Sequence, residues 1–540
     1  MKTITPALLL LTLAACTGEA PLIFGSETDG GWLIPDMPST CAATRPPSVR
    51  LLTNAEVDAT LEAVFSTPSP IGGALPGEVL ADGYSTNVDR EVGSFYVDTI
   101  DTQSAALSRT VAPVVGAGLA CQTGEAEEAC VSRALGALGR QLWRRPLEAG
   151  ELDELMAVFR AARPAGTRDD ALAVAVQALV GAPSFLYRRE LGAPDGDALT
   201  LTADEIAEAM AYDFTGGPPD QALLEVAAAG ALADPARREQ EAQRLLETPA
   251  GRAHLARFTT EWLKTTSLPS VSRDPTRFPA YSDPLRDAMV EETRRFAEDV
   301  FYGPAPTAKT LWGADYTYAN GALAAFYGLD AQPDAGFQKV DLGPTKRRGF
   351  LGQAGVLLSH SHDTSTSPVK RGVLVLSRAI CRPPPPPPPN VVFMTGTPDD
   401  PKTTRERYSQ HDSNPSCAGC HRSIDPPGFA LEGFDPIGAD RTEEHGFPVD
   451  TTAVLIAAGQ ASGPVTGSVD LATHVSESQD AADCLVSQLG SYELGKVAGA
   501  DEACVLQQMR HRSLTQGGDA MEALRALVGS DAYITRKVVP

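Results

Sequence analysis

The sequence predicts a mostly α protein, several helical modules in series with a polyproline spacer, and three observations carry that prediction. Helix-start signals recur along the chain, period-two alternation is scarce, and Gly and Pro clusters fall between the apolar-periodic stretches. A length of 540 residues allows roughly three or four domains, enough for a sizeable core. Hydrophobic residues at 43% and charged ones at 21% describe a folded globular chain, and 48 Gly with 43 Pro imply many loops. The 45 Lys and Arg face 69 Asp and Glu, so the formal charge is −24, with no basic run to offset it. Nucleic acid and anionic lipid headgroups are thereby excluded as charge-driven partners.

The elements follow in order. Lys2 precedes a mostly apolar run, Ile4 to Ala15, of the size of a secretory h-region and too short to span a bilayer. Leu13-Ala14-Ala15-Cys16 follows and resembles a bacterial lipobox, in which cleavage precedes the cysteine and its thiol is acylated. Residues 1–15 are thus expected to be a lipoprotein signal peptide, and 16–47, rich in Gly, Pro and Ser, a lipid-anchored tether. The mature chain would be exported, held to the bacterial cell envelope through the lipid on Cys16 alone. An ordinary signal peptide with Cys16 incidental, or an uncleaved anchor, is the alternative.

Residues 48–120 read as an N-terminal module with one short helix followed by loops, and 121–191 as a module of three helices. In 192–330, Thr202-Ala203-Asp204-Glu205 is a capping box opening Ile206 to Phe214. Ser282-Asp283-Pro284 caps a second helix there through Leu285, Met289, Phe296 and Val300. Residues 331–445 contain two helices between Arg347 and Leu376, then seven consecutive prolines, Pro383 to Pro389. Such a run is a polyproline II rod, here read as a stiff spacer rather than a docking ligand. Residues 446–540 form a C-terminal helical module.

Nine cysteines divide by context. An exported protein permits disulfides and also covalent haem attachment. Setting aside Cys16 and the pair discussed next, six remain, with 15 possible pairings. Proximity selects Cys121 with Cys130 and Cys484 with Cys504, leaving Cys41 with Cys381.

Cys417-Ala418-Gly419-Cys420-His421 is the C-x-x-C-H pattern of c-type haem attachment. Two thiols one helical turn apart reach two vinyl groups, and the adjacent imidazole reaches the iron. A disulfide, a zinc site with His421, or a thiol redox pair would use the same residues. Thr403 to His411 reads as a helix leading into the motif. Asp425-Pro426-Pro427-Gly428-Phe429 reads as a rigid turn, its aromatic ring lying on a porphyrin or simply buried. For the sixth iron position the nearest downstream methionine, Met509, lies 88 residues beyond His421 in another helical pattern. His360 and His362 are the alternative ligands, or else polar loop residues after Val356-Leu357-Leu358.

Other patterns are weaker. Ser367-Pro368-Val369-Lys370 fits S-x-x-K, yet neither S-D-N nor K-T-G follows, so Ser367 reads as a helix cap before Pro368. Trp143-Arg144-Arg145-Pro146, Arg347-Arg348-Gly349 and Lys370-Arg371-Gly372 read as cations bonding helix-end carbonyls, contact with haem propionates or an anionic substrate being the alternative. No phosphate loop, nucleophile elbow or zinc helix is present.

Taken in order, Arg50-Leu51-Leu52-Thr53, Trp143-Arg144-Arg145-Pro146-Leu147, Pro183-Ser184-Phe185-Leu186-Tyr187-Arg188, Thr366 to Gly372, the proline run, and Cys417 to His421 leading into Asp425 to Phe429 carry a family resemblance. The chain resembles the multi-domain cytochrome-c-like proteins of uncharacterised function from planctomycetes and myxobacteria. The resemblance covers nearly the whole mature chain and implies five consecutive modules of unknown function, the C-x-x-C-H motif in the fourth. Residues 331–445 would then be a cytochrome-c-like module. Unlike the longer planctomycete members, this chain has no second, N-terminal cytochrome module, and the family supplies no established reaction.

The function expected is therefore that of an exported lipoprotein with one haem c on Cys417, Cys420 and His421. It would serve electron transfer or haem-dependent oxidation with an unidentified redox partner or extracellular substrate. The competing expectation is a haem-free helical surface lipoprotein whose cysteine motif is structural and which binds a protein or glycan.

Overall fold

Thr53, Thr167 and Thr202 each stand three residues before an acidic side chain, and each closes a capping box that starts a helix. Ser282 caps Asp283–Phe301, with a proline in the first turn, as the spacing predicts. In the computed structural model, residues 25–27 and 32–538 are described, apart from 39, 42, 44, 81, 87, 90–91, 120, 331–335, 344, 387–401, 414 and 498. Cys16, the signal-peptide run and the last three residues of the proline rod, 387–389, lie outside the described residues. The fold is mostly α, and its sheets are small ribbons of two or three short strands.

Among the described residues, three large apolar cores hold the helices, beside a small fourth cluster of Ile34, Ala482 and Leu514. One gathers side chains from Leu52 to Leu186, together with Tyr212. The largest draws from Leu201 to Ile534, with Cys41 and Tyr84, and contains a chain of rings in which Phe258 stacks on Trp262 and Trp262, Trp312, Phe350 and Phe296 follow edge to face. The third lies around Leu323, Tyr327 and Leu358. Short ribbons stitch distant segments: Ser48–Leu51 pairs antiparallel with Tyr187–Glu190, and Thr535–Lys537 pairs with Ala198–Thr200.

Charge is buried where these ribbons meet. Arg188, 1% exposed, bonds Asp213 at 2.9 Å and Glu56 at 3.4 Å, and Tyr533 donates to Asp213 at 2.8 Å. Arg144 donates to the carbonyls of Phe185 and Tyr187, both at 3.0 Å, and to Glu208. That is the carbonyl-bonding role expected of the Trp143 to Pro146 cations.

Four readings of the sequence are corrected. The segment from 94 to 117, expected to be loop, is a 24-residue helix, Ser94–Ala117. Its buried stripe, Tyr96, Ile100, Ser104, Leu107 and Val111, has helical spacing diluted by hydroxyl residues. Within the stripe Ser104 bonds back to the Asp101 carbonyl at 3.1 Å, and on the exposed face Thr99 bonds to the Phe95 carbonyl at 2.7 Å and Thr110 to that of Ala106 at 3.2 Å.

Second, Cys121 pairs with Cys130, but Cys484 pairs with Cys381 and Cys504 with Cys41. Proximity in sequence fails because Cys484 lies inside Gln479–Glu493, against the helical turn Val375–Ala379 that delivers Cys381, whereas Cys504 opens the next helix, Ala503–Thr515.

Third, part of the expected tether is fastened to helices near the C-terminus. Leu33–Pro35 lies along Ala503–Thr515, where Gln507, Gln508 and His511 donate to the carbonyls of Asp36, Pro38 and Pro35. Gln479 also accepts from the Leu33 N–H and donates to its carbonyl. Fourth, the expected turn at Asp425 to Phe429 is helical, for a reason taken up below.

One buried pair makes stability depend on pH. His254, in Pro249–Trp262, and Glu493 meet at 3.1 Å, both almost wholly buried. Burial, with Arg257 adding to it, pulls the imidazole down from 6.5 to about 4, and burial with Asp213 nearby pushes the Glu493 carboxyl well above 4.5. Glu56 and Glu261 also face the imidazole. Burial therefore favours the uncharged form of both partners in the fold. Unfolded, the pair holds none above 6.5, one between 4.5 and 6.5, and two below.

The raised Glu493 carboxyl contributes stability that is present below 4.5 and is lost on the alkaline side, as pH rises through its folded value, whereas the lowered His254 imidazole contributes stability that is present above 6.5 and is lost as pH falls towards about 4. Urea unfolding across pH 4 to 9 measures the two opposed contributions. The Glu493→Gln variant should lose the alkaline decline and instead weaken as pH falls through 6.5, the ordinary His value.

Candidate functional site

The motif sits on one helix, Pro415–Ala430, whose first residue is a proline suited to that position. Cys417 and Cys420 are three apart and Cys417 and His421 four apart, so both sulfurs and the imidazole share one helix face. Both cysteines are free thiols and half-buried, while the other six described cysteines are paired. Among the described residues, the one set of three metal-ligand atoms within 4.8 Å of one another is Cys121, Glu125 and Cys130, whose sulfurs already form a disulfide. Cys417, Cys420 and His421 do not close on one point as zinc ligands would.

One turn further along, Asp425 approaches His421: its Oδ1 lies 2.9 Å from Nδ1, and its side chain is 2% exposed. A carboxylate accepts, so Nδ1 carries a hydrogen and Nε2 is the nitrogen that would bind a metal. Metal-ligating imidazoles are held in this way by second carboxylates. The donor set is therefore chemically suited to haem c: two free thiols at one-turn spacing and an imidazole in the ligating tautomer. Asp425 was not singled out from the sequence. The four-residue interval from His421 was the available signal, masked by reading Pro426-Pro427 as a turn.

The helix persists through those prolines because a second helix packs directly against its backbone. Pro368–Leu374 begins with Ser367 as cap, accepting from the Lys370 N–H at 3.3 Å, so the S-x-x-K pattern is a helix start as expected. Its Gly372 rests against the Ile424 carbonyl, and Gly428 rests against Pro368; a methyl at either glycine would overlap those backbone atoms. Arg371 on the same helix is fully buried and donates to the carbonyls of Leu431 at 2.8 Å, Phe434 at 3.0 Å and Asp435 at 2.9 Å. These bonds close the end of the motif helix and the turn after it.

Phe429 is buried with the Arg405 guanidinium over its ring at 4.2 Å, and Arg405 is held by the carbonyls of Asp450 and Thr452. Thr404–Ser413 is helical, as expected of the approach to the motif. The side chain of His411 lies outside the described residues.

His360 and His362 follow the helix Ala354–Ser359. His360 is buried with Nδ1 bonded to the Val356 carbonyl at 2.9 Å, and burial pulls its imidazole down to about 4, the neutral form that binds metals. His362 is half-buried and also shifted down by burial, its N–H on the Ser365 carbonyl. The loop between them is tied to the second helix: Ser361 accepts from Lys370 and Arg371. Arg371 thus joins the histidine loop to the end of the motif helix. Met509 is a core residue between Ala503–Thr515 and Gly490.

Three segments match family models, each described as a protein of unknown function. Residues 130–190 match PSD5 (DUF1595), 201–329 match PSD4 (DUF1592), and 347–444 match PSCyt3 (DUF1588). The last spans His360, His362, Arg371, the C-x-x-C-H motif and Asp425. No curated protein and no solved structure matches the chain.

Two glycines should respond oppositely to alanine. Gly372→Ala drives a methyl into the Ile424 carbonyl and should destabilise by about 1–3 kcal/mol in denaturant unfolding. Gly419→Ala, between the motif cysteines, meets open space on a helix and should leave stability unchanged or raise it by up to about 1 kcal/mol.

Proposed function

We propose that this chain is an exported lipoprotein carrying one covalently attached c-type haem, held by Cys417 and Cys420 and ligated by His421, that transfers electrons or carries out a haem-dependent oxidation outside the cytoplasm. The observation that carries the reading is the single helix face with two free thiols and an imidazole fixed through Nδ1. The name of the PSCyt3 model, which covers this helix, supports a cytochrome-like module.

When bound, the haem supplies a one-electron iron couple at the motif helix. This chain's own contribution is to hold the thiols one turn apart, to orient the imidazole through Asp425, and to keep the helix end closed through Arg371. His360, neutral and held beside Arg371, is proposed with His362 for the sixth position, which would favour transfer over small-molecule binding. Export and anchoring rest on the h-region and Cys16. Among the described residues no helix is long and apolar enough to cross a membrane. Lipid on Cys16 is the membrane contact this reading supplies.

Expression with a cytochrome c maturation system should yield a pyridine haemochrome of the c type at one haem per chain. The Cys417→Ser/Cys420→Ser variant should carry none. A normally folded wild-type chain without haem would leave the haem-free structural reading in its place. The His360→Ala/His362→Ala variant should change the absorption spectrum and midpoint potential; an unchanged haem would remove both residues from the iron.

A further inference from the structure

We infer that Asp425 is a positioning residue that locks the His421 ring with its hydrogen on Nδ1 and strengthens Nε2 as an iron donor, so that the attached haem is biased toward its oxidised state. The second half rests on the haem-attachment reading; the tautomer lock stands on the geometry of the chain alone.

Three features argue for a built contact. The Nδ1 to Oδ1 distance is 2.9 Å, within one helix, so the spacing follows from the i to i+4 register. The Asp425 side chain is 2% exposed, where water competes little and a carboxylate strengthens the bond it accepts. The backbone carrying Asp425 is also clamped. Ile424 before it rests on Gly372, Pro426 and Pro427 after it have fixed φ, and Gly428 rests on Pro368. A side chain on so constrained a segment has little freedom to leave its partner.

The direction of the effect follows from charge. A carboxylate accepting from Nδ1–H pushes electron density onto the ring, and a more electron-rich Nε2 favours the more positive iron. The couple is one electron, ferric to ferrous, and Nδ1 keeps its hydrogen in both states. A carbonyl in place of Asp425 would orient the ring without supplying that charge.

The test uses the full chain in two preparations with two variants. Asp425→Asn keeps an acceptor oxygen and removes the charge, whereas Asp425→Ala removes both. In haem-free protein labelled with ¹⁵N-histidine, the wild type and Asp425→Asn should show His421 as the Nδ1–H tautomer, and Asp425→Ala should show a mixture. In matured protein titrated with dithionite, Asp425→Asn should raise the ferrous-to-ferric ratio at a given potential about tenfold, which is 59 mV for one electron. Circular dichroism melts establish that each variant is folded; a purely structural Asp425 would move the melts and leave the tautomer alone.

An unchanged tautomer in folded Asp425→Ala would overturn the lock, and an unchanged potential in Asp425→Asn would overturn the bias. If the wild type takes up no haem, the functional reading fails and the bias with it, while the tautomer measurement still decides the lock.

Discussion

The buried guanidinium of Arg371 is the contact on which the motif region depends. A helix that ends inside a protein leaves carbonyls without partners, and a single arginine with five donors can satisfy several of them. Arg371 does this for Leu431, Phe434 and Asp435 and still reaches Ser361. Arg347 plays a comparable part nearby, bonding the carbonyls of Gly352 at 2.9 Å and Gly438 at 2.7 Å while stacked between Tyr327 and Phe434. Removing either would leave buried carbonyls unpaired, a larger loss than the bonds themselves.

From that contact the site is assembled by backbone contact more than by side-chain packing. Gly372 and Gly428 let two helices meet without intervening side chains, which braces a helix that Pro426 and Pro427 deprive of two internal bonds. The bracing holds Asp425 at one turn from His421. Regular helix across an unfavourable sequence thus becomes the means by which a carboxylate and an imidazole are kept in register.

The sequence made some parts of this legible and hid others. Capping boxes at Thr202 and the cap at Ser282 are local, since cap and helix lie within four residues, and both were readable. The helix Ser94–Ala117 was not, because Ser104 and Ser108 occupy buried positions of its stripe where apolar residues would have marked the period. The disulfides divide the same way. Cys121 and Cys130 are 9 residues apart and pair as proximity suggests, but Cys41 and Cys504 are 463 apart and meet only because the segment from Leu33 to Pro38 lies along a C-terminal helix.

The sequence by itself therefore determined the mostly α class and the chemistry of the C-x-x-C-H face, because helix periodicity, caps and one-turn spacing are short-range properties of a chain. Only the tertiary structure decided that Asp425 stands in helical register with His421, and that Arg371 joins the histidine loop to the motif helix. It alone settled which cysteines pair beyond the local one. These outcomes depend on contacts between segments tens to hundreds of residues apart, where backbone packing outweighs what a proline or a neighbouring cysteine favours locally.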